Sequence, residues 1–270
     1  MVVTTRTIER IRRTEMPQFA SHEAACRERY PRAIELPGFE LRYRVHEYDV
    51  GEICDAVRKR ECFCWIKAGR RRVGAMKLNA YDPDGCAGNR DFLEIMDRDA
   101  EIEYRLAGVL CSGWSDVTEI TPYGSILHFE SAWIAPEYSR GSLFADAAHA
   151  IIDKEFQEHS VLIMLAFPLE HEGKDGPLFE RGFGYRQRAM IRHYRRIFGV
   201  EPFPGHRGRE GWLWRIGRAQ EFVPPPKGAA IPRPTRDRRD DIGFRARGTM
   251  IAGGPPHAVT CWKKHPHSKS

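Results

Sequence analysis

Residues 125–167 decide the fold, because a strand pattern, a turn, a helix pattern and a second strand pattern follow one another there. Residues 125–136, SILHFESAWIAP, have the composition of a strand and end at a proline. Residues 137–142, EYSRGS, form a polar turn, and residues 143–159, LFADAAHAIIDKEFQEH, place apolar side chains along one side of a helix. Residues 161–167, VLIMLAF, are continuously apolar, which is typical of a strand buried on both faces. This order predicts a right-handed crossover connection.

Antiparallel strands are predicted before this unit. ELRYRVHEY at residues 40–48 alternates apolar and polar side chains, as a half-buried strand does. CFCWIKA at 62–68 and RVGAMKLNAY at 72–81 flank the turn that begins at Gly69, which predicts a hairpin. A short helix is predicted between these elements, at residues 51–60.

Three further segments complete the predicted fold. Residues 91–111 place apolar side chains at helical spacing. PLFERG at 177–182 predicts a short helix, and YRQRAMIRHYRRIF at 185–198 alternates and predicts a last strand. Together with the central unit, these elements predict an α/β or α+β sheet.

Charge is distributed unevenly along the chain. The 270 residues include 43 Lys+Arg and 37 Asp+Glu, for a net charge of +6. Residues 201–270 hold 14 Lys+Arg, 6 Asp+Glu and 10 of the 18 prolines, whereas residues 1–200 hold 29 Lys+Arg and 31 Asp+Glu. This distribution argues against a uniformly cationic nucleic-acid-binding body. The last 70 residues are predicted to form a basic, extended or disordered tail, anchored by Trp212 and Trp214.

The cysteines and the amino-terminal sequence predict a cytoplasmic protein without a bound metal. Seven scattered cysteines lack both a C-x-x-C pair and a dense disulfide framework. Cys62 and Cys64 share one strand face, where packed thiols are favoured over two metal ligands. The first residues lack the apolar stretch of a signal peptide, and no segment has the roughly 20 apolar residues of a membrane span.

The turn at residues 137–142 has the features of an anion site. Small residues before a helix expose backbone N–H groups, which suit a phosphate. Arg140 adds a positive charge, and Gly141 and Ser142 let an anion approach the backbone. A simple surface turn is the alternative interpretation.

Three stretches resemble motifs of the GNAT N-acetyltransferase superfamily. SAWIAPEYSRGSLFADAAHAII (131–152) is similar to the acyl-CoA-binding segment, GPLFERGFGY (176–185) to the second signature, and RRVGAMKLNAY (71–81) to the third strand. The resemblance covers roughly residues 40–198. It implies a mixed, mostly antiparallel central sheet with flanking helices, splayed between the family's fourth and fifth strands. The domains would be an amino-terminal helical or loop extension (1–39), the acyltransferase domain (40–199) and the tail (200–270).

The resemblance also implies the binding residues for acetyl-CoA or another acyl-CoA. Pantetheine would pair with the backbone near Trp133, Ile134 and Ala135. The pyrophosphate would lie on the turn formed by Arg140, Gly141, Ser142, Leu143, Phe144 and Ala145. Phe179 stands where many members have a tyrosine that protonates the leaving thiolate. Since phenylalanine cannot donate a proton, Tyr185 or water would replace it.

Glu130 is the preferred general base. It lies four residues before Ile134, and we expect both side chains on one strand face. Burial in an apolar strand would raise the pKa of its carboxyl into a useful range. An ion pair with an arginine such as Arg192 is the structural alternative. His128 is the second candidate base, and a structural role is the alternative for it as well.

The resemblance predicts direct transfer of an acetyl group to an amine of a small molecule or a protein. A non-catalytic acyl-CoA-binding or partner-binding module is the second hypothesis, and Phe179 favours it. A nucleic-acid-associated protein acting through the basic tail is the third. Neither the acceptor, the acyl chain length nor the oligomeric state follows from the sequence.

Overall fold

The sheet and its flanking helices are seen in a computed structural model that describes residues 32–50, 56–139, 141–168, 182–217 and 223–229. Eight described strands form one sheet in the order β1-β2-β3-β4-β5-β6-β8-β7. The strands are β1 (Arg32–Leu36), β2 (Phe39–Asp49), β3 (Arg58–Ala68), β4 (Arg71–Asp82), β5 (Ser125–Ile134), β6 (His159–Leu165), β7 (Glu201–Pro202) and β8 (Trp212–Ile216). The helices are α1 (Asn89–Asp99), α2 (Glu101–Gly113), α3 (Leu143–Glu155), α4 (Phe183–Phe198) and α5 (His206–Glu210). Short 3-10 turns occupy Val117–Glu119, Thr121–Tyr123 and Pro136–Tyr138.

Strand directions give a mixed, mostly antiparallel sheet. β5 and β6 pair in parallel and are joined by α3, whereas the other described strand pairs are antiparallel. The β3–β4 hairpin turns at Gly69, whose φ of 57° suits a glycine. The sheet of mixed direction with flanking helices that the sequence predicted is therefore confirmed.

Each face of the sheet is covered by a pair of helices. One apolar cluster joins Ala147 and Ile151 of α3, and Phe198 of α4, to Cys62 and Cys64 of β3; we call it the α3/α4 cluster. The opposite face packs against α1 and α2 through the α1/α2 cluster, which includes Phe92, Met96, Leu106, Trp212 and Trp214. Burial of these side chains supplies most of the driving force that holds the three layers together.

The predicted strand at residues 185–198 is wrong, because these residues form α4. Met190, Ile191, Tyr194 and Ile197 pack against the α3/α4 cluster, and their spacing has the period of a helix. The alternation at the start of the segment was therefore a weaker signal than this apolar face. The helix ends at Gly199, which adopts the left-handed conformation with a φ of 65°.

The sheet extends beyond both ends of the domain predicted from the sequence. β1 lies within residues 1–39, which we had expected to be helix and loop. β8 pairs with β6, so residues 201–217, predicted as part of the tail, contribute to the sheet. Trp212 is fully buried in β8, which makes it a core residue rather than a loose anchor.

Two predicted helices fall mainly outside the described residues. These are the helix at 51–60, of which residues 58–60 begin β3, and the helix at 177–182. Most of the predicted tail, at 218–222 and 230–270, is also outside them. Within the described ranges, no helix is both long enough and apolar enough to cross a membrane.

Candidate functional site

A β-bulge in β5 defines the candidate site. Leu78 of β4 pairs with Phe129, and the adjacent Lys77 pairs with Ser131, so Glu130 is an extra residue in β5. Pairing between β5 and β6 also ends at Phe129. β5 nevertheless continues to Ile134 along β4. Over residues 130–134, the β5 edge on the β6 side therefore has no strand partner in the described part of the chain.

The bulge also changes which residues share a strand face. Phe129, Ala132 and Ile134 all pack against the α3/α4 cluster. Glu130 makes its contacts on the opposite face of the sheet, with β4 side chains that alternate with those of that cluster. The expectation that Glu130 and Ile134 lie on one face is therefore wrong, because an extra residue reverses the alternation.

The Glu130 carboxylate is held by two β4 side chains. Its Oε2 accepts a hydrogen bond of 2.7 Å from Asn79 Nδ2 and lies 3.0 Å from Lys77 Nζ. Lys77 also pairs with Glu61 of β3 at 2.9 Å. Burial raises the pKa of the Glu130 carboxyl, although Lys77 and Asn79 act to lower it. The ion pair of Glu130 is thus with Lys77, and the alternative partner Arg192 lies on α4.

These contacts continue as a buried polar network towards α2. Asn79 donates a hydrogen bond to the Tyr81 hydroxyl at 3.2 Å, and that hydroxyl donates to Glu103 at 3.2 Å. Lys59 donates to Glu103 and to Asp99, at 2.8 Å each. Burial alone would lower the pKa of Lys59, but its neighbours Tyr81, Glu103 and Asp99 raise it above its ordinary value.

Sequence reasoning missed this network, although a signal for it was present. In β3, Lys59 and Glu61 lie within a charged run, 58–61, that hides their alternation. In β4, however, Lys77 and Asn79 are polar residues at alternate positions of the otherwise apolar stretch 73–80. Such a pattern places them on one face. Glu103 of α2 is only 2% exposed, and its burial depends on how the helix packs against the sheet.

His128 lies beside this network and is almost completely buried. It pairs in register with Asn79, and its ring lies 6.1 Å from that of Trp212. Burial, helped by the charges of Lys77 and Lys59, lowers its pKa to about 3. A histidine with that pKa is neutral at pH 7 and accepts a proton poorly, so its surroundings favour a structural role over that of a base.

Several buried polar atoms around Glu130 have no hydrogen-bond partner among the described residues. They are both ring nitrogens of His128, Asn79 Oδ1, Ser131 Oγ and Glu103 Oε2. Buried polar atoms in folded proteins are ordinarily satisfied by a protein group, a water molecule or a ligand.

The predicted phosphate-binding turn leads into α3. Gly141 has a φ of 119°, and Ser142 precedes the helix and accepts a hydrogen bond of 2.8 Å from Asp146 N. Leu143 is buried, Ala145 is partly buried, and the Phe144 ring stacks on His193 of α4 at 5.9 Å. Arg140 and Phe179 lie outside the described residues.

The remaining predicted residues lie at two different places. Trp133 and Ile134 are partly buried in the last part of β5. Ala135 follows the strand, and its N–H already donates to Val73 O at 2.8 Å. Tyr185 lies in the first turn of α4 and is 64% exposed. The structure thus brings Glu130 close to His128 within β5, whereas Tyr185 projects from a helix on the opposite face of the sheet.

The chain matches no known protein-family model, no curated protein and no solved structure. In the parts of the chain that the structure describes, no group of three or more His, Cys, Asp or Glu side chains is arranged to hold a metal ion.

Proposed function

We propose that this protein is an acyl-CoA-dependent N-acyltransferase that transfers an acetyl group directly from acetyl-CoA to an amine. The observation that carries the proposal is the bulge at Glu130, where a buried carboxylate coincides with the end of the β5–β6 pairing. If β5 and β6 diverge beyond Phe129 as the corresponding strands of GNAT proteins do, the thioester could enter the gap between them and lie next to Glu130 as the base.

Backbone pairing would position the cofactor. Pantetheine, which contains two amide groups, would pair with the β5 edge beyond Phe129 as an added strand does. The turn that contains Gly141 would hold the pyrophosphate, because its backbone N–H groups precede α3. Together, these two contacts would direct the thioester end of the cofactor towards the bulge.

Proton transfer would begin at Glu130. Its carboxylate takes a proton from the ammonium of the acceptor, and the amine nitrogen then attacks the thioester carbonyl carbon. A carbon–nitrogen bond forms, and the nitrogen gives its second proton to water. The carbon–sulfur bond breaks, and the thiolate takes a proton from Tyr185 or from water. The raised pKa of Glu130 supports this role, since a stronger base removes the ammonium proton more readily.

A non-catalytic acyl-CoA-binding module is the second candidate. The ion pair between Glu130 and Lys77 favours it, because a carboxylate occupied in this way can serve stability alone. The position of Tyr185 also favours it, because this exposed side chain belongs to a helix on the face of the sheet opposite to Glu130.

The test combines calorimetry with a thiol-release assay over amines, amino acids and peptides. We expect the wild type to bind acetyl-CoA and to release thiol with at least one acceptor. Glu130→Gln should lower turnover about 100-fold or more while binding is retained. Arg140→Glu should weaken binding, because it reverses the charge at the predicted pyrophosphate site.

Glu61→Gln is the matched control, because Glu61 contacts the same lysine but lies outside the bulge. It should retain most of the activity. Binding without thiol release would establish the non-catalytic module. Absence of acetyl-CoA binding in the wild type would overturn both candidates.

A further inference from the structure

We propose that exposed arginines of α4 form a binding surface for the phosphate backbone of a nucleic acid. Arg188, Arg192, Arg195 and Arg196 are exposed and lie at positions i, i+4, i+7 and i+8 of the helix. This spacing places them along one side, and we call this set the arginine ridge. The opposite side of α4 packs against the α3/α4 cluster, so the ridge faces outward.

The charge of α4 is of one sign only. The helix carries five arginines and no carboxylate. Like charges at i, i+4 spacing destabilise a helix, and the ridge contains two such pairs, Arg188 with Arg192 and Arg192 with Arg196. The helix therefore tolerates a repulsion that an anionic partner would relieve.

Among the described residues, a carboxylate neutralises only Arg195 of the ridge. Arg195 pairs with Glu201 at 2.6 Å, and Arg196 lies 3.3 Å from His193 Nδ1. Within the described ranges, Arg188 and Arg192 have no carboxylate partner. Their guanidinium groups are available to an external anion, and guanidinium binds phosphate oxygens through two parallel hydrogen bonds.

The shape of the ridge fits an extended polyanion. Eight residues of helix separate Arg188 from Arg196, which corresponds to about 12 Å. One strand of a duplex carries a phosphate every ~3.4 Å along the axis, so the ridge would span about three or four phosphates. Residues 218–270 contain 11 Lys+Arg and 4 Asp+Glu, which would add non-specific attraction to the same partner.

The experiment measures binding of the full-length protein to a fluorescent 20-mer RNA and to the corresponding DNA duplex over a salt series. The ridge variant is Arg188→Gln/Arg192→Gln/Arg196→Gln. One control removes three exposed arginines on other parts of the body, Arg70→Gln/Arg98→Gln/Arg105→Gln. A second control, Arg236→Gln/Arg238→Gln/Arg239→Gln, removes the same charge from the tail. Circular dichroism checks that each variant folds.

We expect the ridge variant to bind at least about tenfold more weakly at low salt. Its log–log salt slope should be shallower by about 3 with the DNA duplex and by about 2 with a single-stranded RNA. The body control should bind as the wild type does, and the tail control should change the slope less than the ridge variant.

Three outcomes would overturn the proposal. The first is an equal effect of the ridge and body variants on binding, and the second is loss of binding in the tail variant only. The third is displacement of the nucleic acid by adenosine 3′,5′-bisphosphate, which would assign the ridge to the cofactor. Retention by anionic vesicles but not by nucleic acid would also contradict it. None of these outcomes depends on acyl transfer, so the two proposals can fail separately.

Discussion

Replacing His128 by phenylalanine should make the protein more resistant to acid. His128 is buried, and its pKa is lowered to about 3 from the ordinary histidine value. In the unfolded chain the same side chain titrates near pH 6.5. Between these two values the unfolded state binds a proton that the folded state does not, so acid favours unfolding.

The direction and size of the effect follow from these two pKa values. Because the folded pKa is depressed, the contribution of His128 to stability is complete above pH 6.5 and declines as the pH falls towards 3. Between pH 8 and pH 5 the unfolding free energy falls by about 2 kcal/mol because of His128 alone. This value follows from the ratio of the proton-binding polynomials of the unfolded and folded states, calculated with the two pKa values above. Other titrating groups add their own pH dependence, but they are common to the wild type and the variant.

Urea denaturation at pH 8 and at pH 5 measures this difference. We expect the wild type to lose about 2 kcal/mol more of its unfolding free energy than His128→Phe between the two pH values. The phenylalanine ring can remain next to Trp212, and His128→Leu is the second variant if the first does not fold. His46→Gln, which removes an exposed histidine from β2, is the control and should behave as the wild type does. Equal losses in the wild type and both His128 variants would refute the argument.

Two further predictions test the buried network and the extent of the sheet. Lys59→Met should destabilise the protein by about 3–5 kcal/mol in urea denaturation, because it leaves the Glu103 carboxylate buried and unpaired. Lys59→Met/Glu103→Leu should recover most of this loss, and a double variant as unstable as the single one would contradict the argument. Trp212→Ala should cost about 3–5 kcal/mol because the indole is fully buried in β8, whereas a residue of a loose tail would cost little.

Much of the fold could be predicted from the sequence because it is encoded in local patterns. The helix α3 shows the period of a helix within a few turns. The hairpin of β3 and β4 is marked by its turn residues, β5 by its composition and a following proline, and β6 by a continuously apolar run. The error at α4 has the same origin. Its first residues alternate by chance, and the apolar face that makes it a helix is complete only over Met190 to Phe198.

The candidate site was less accessible to sequence reasoning. Glu130 could be selected from the sequence as an acidic residue in an apolar strand. The face of the sheet on which its side chain lies depends on a bulge, however, and no residue type in β5 predicts that bulge. The Lys77 ion pair depends on the register between β4 and β5, and the burial of Glu103 depends on how α2 packs against the sheet. These are long-range relations, so periodicity along the chain does not contain them.

The sequence by itself determined the alternation of strands and helices, the crossover unit around α3 and the uneven charge of the chain. Only the tertiary structure decided that residues 201–217 belong to the sheet, because β8 is short and its apolar side chains become informative only when they pair with β6. It also decided that the charges of Lys59, Glu103 and Glu130 lie inside the protein. Whether a charged residue is buried depends on its partners, and the partners come together only when distant segments pack.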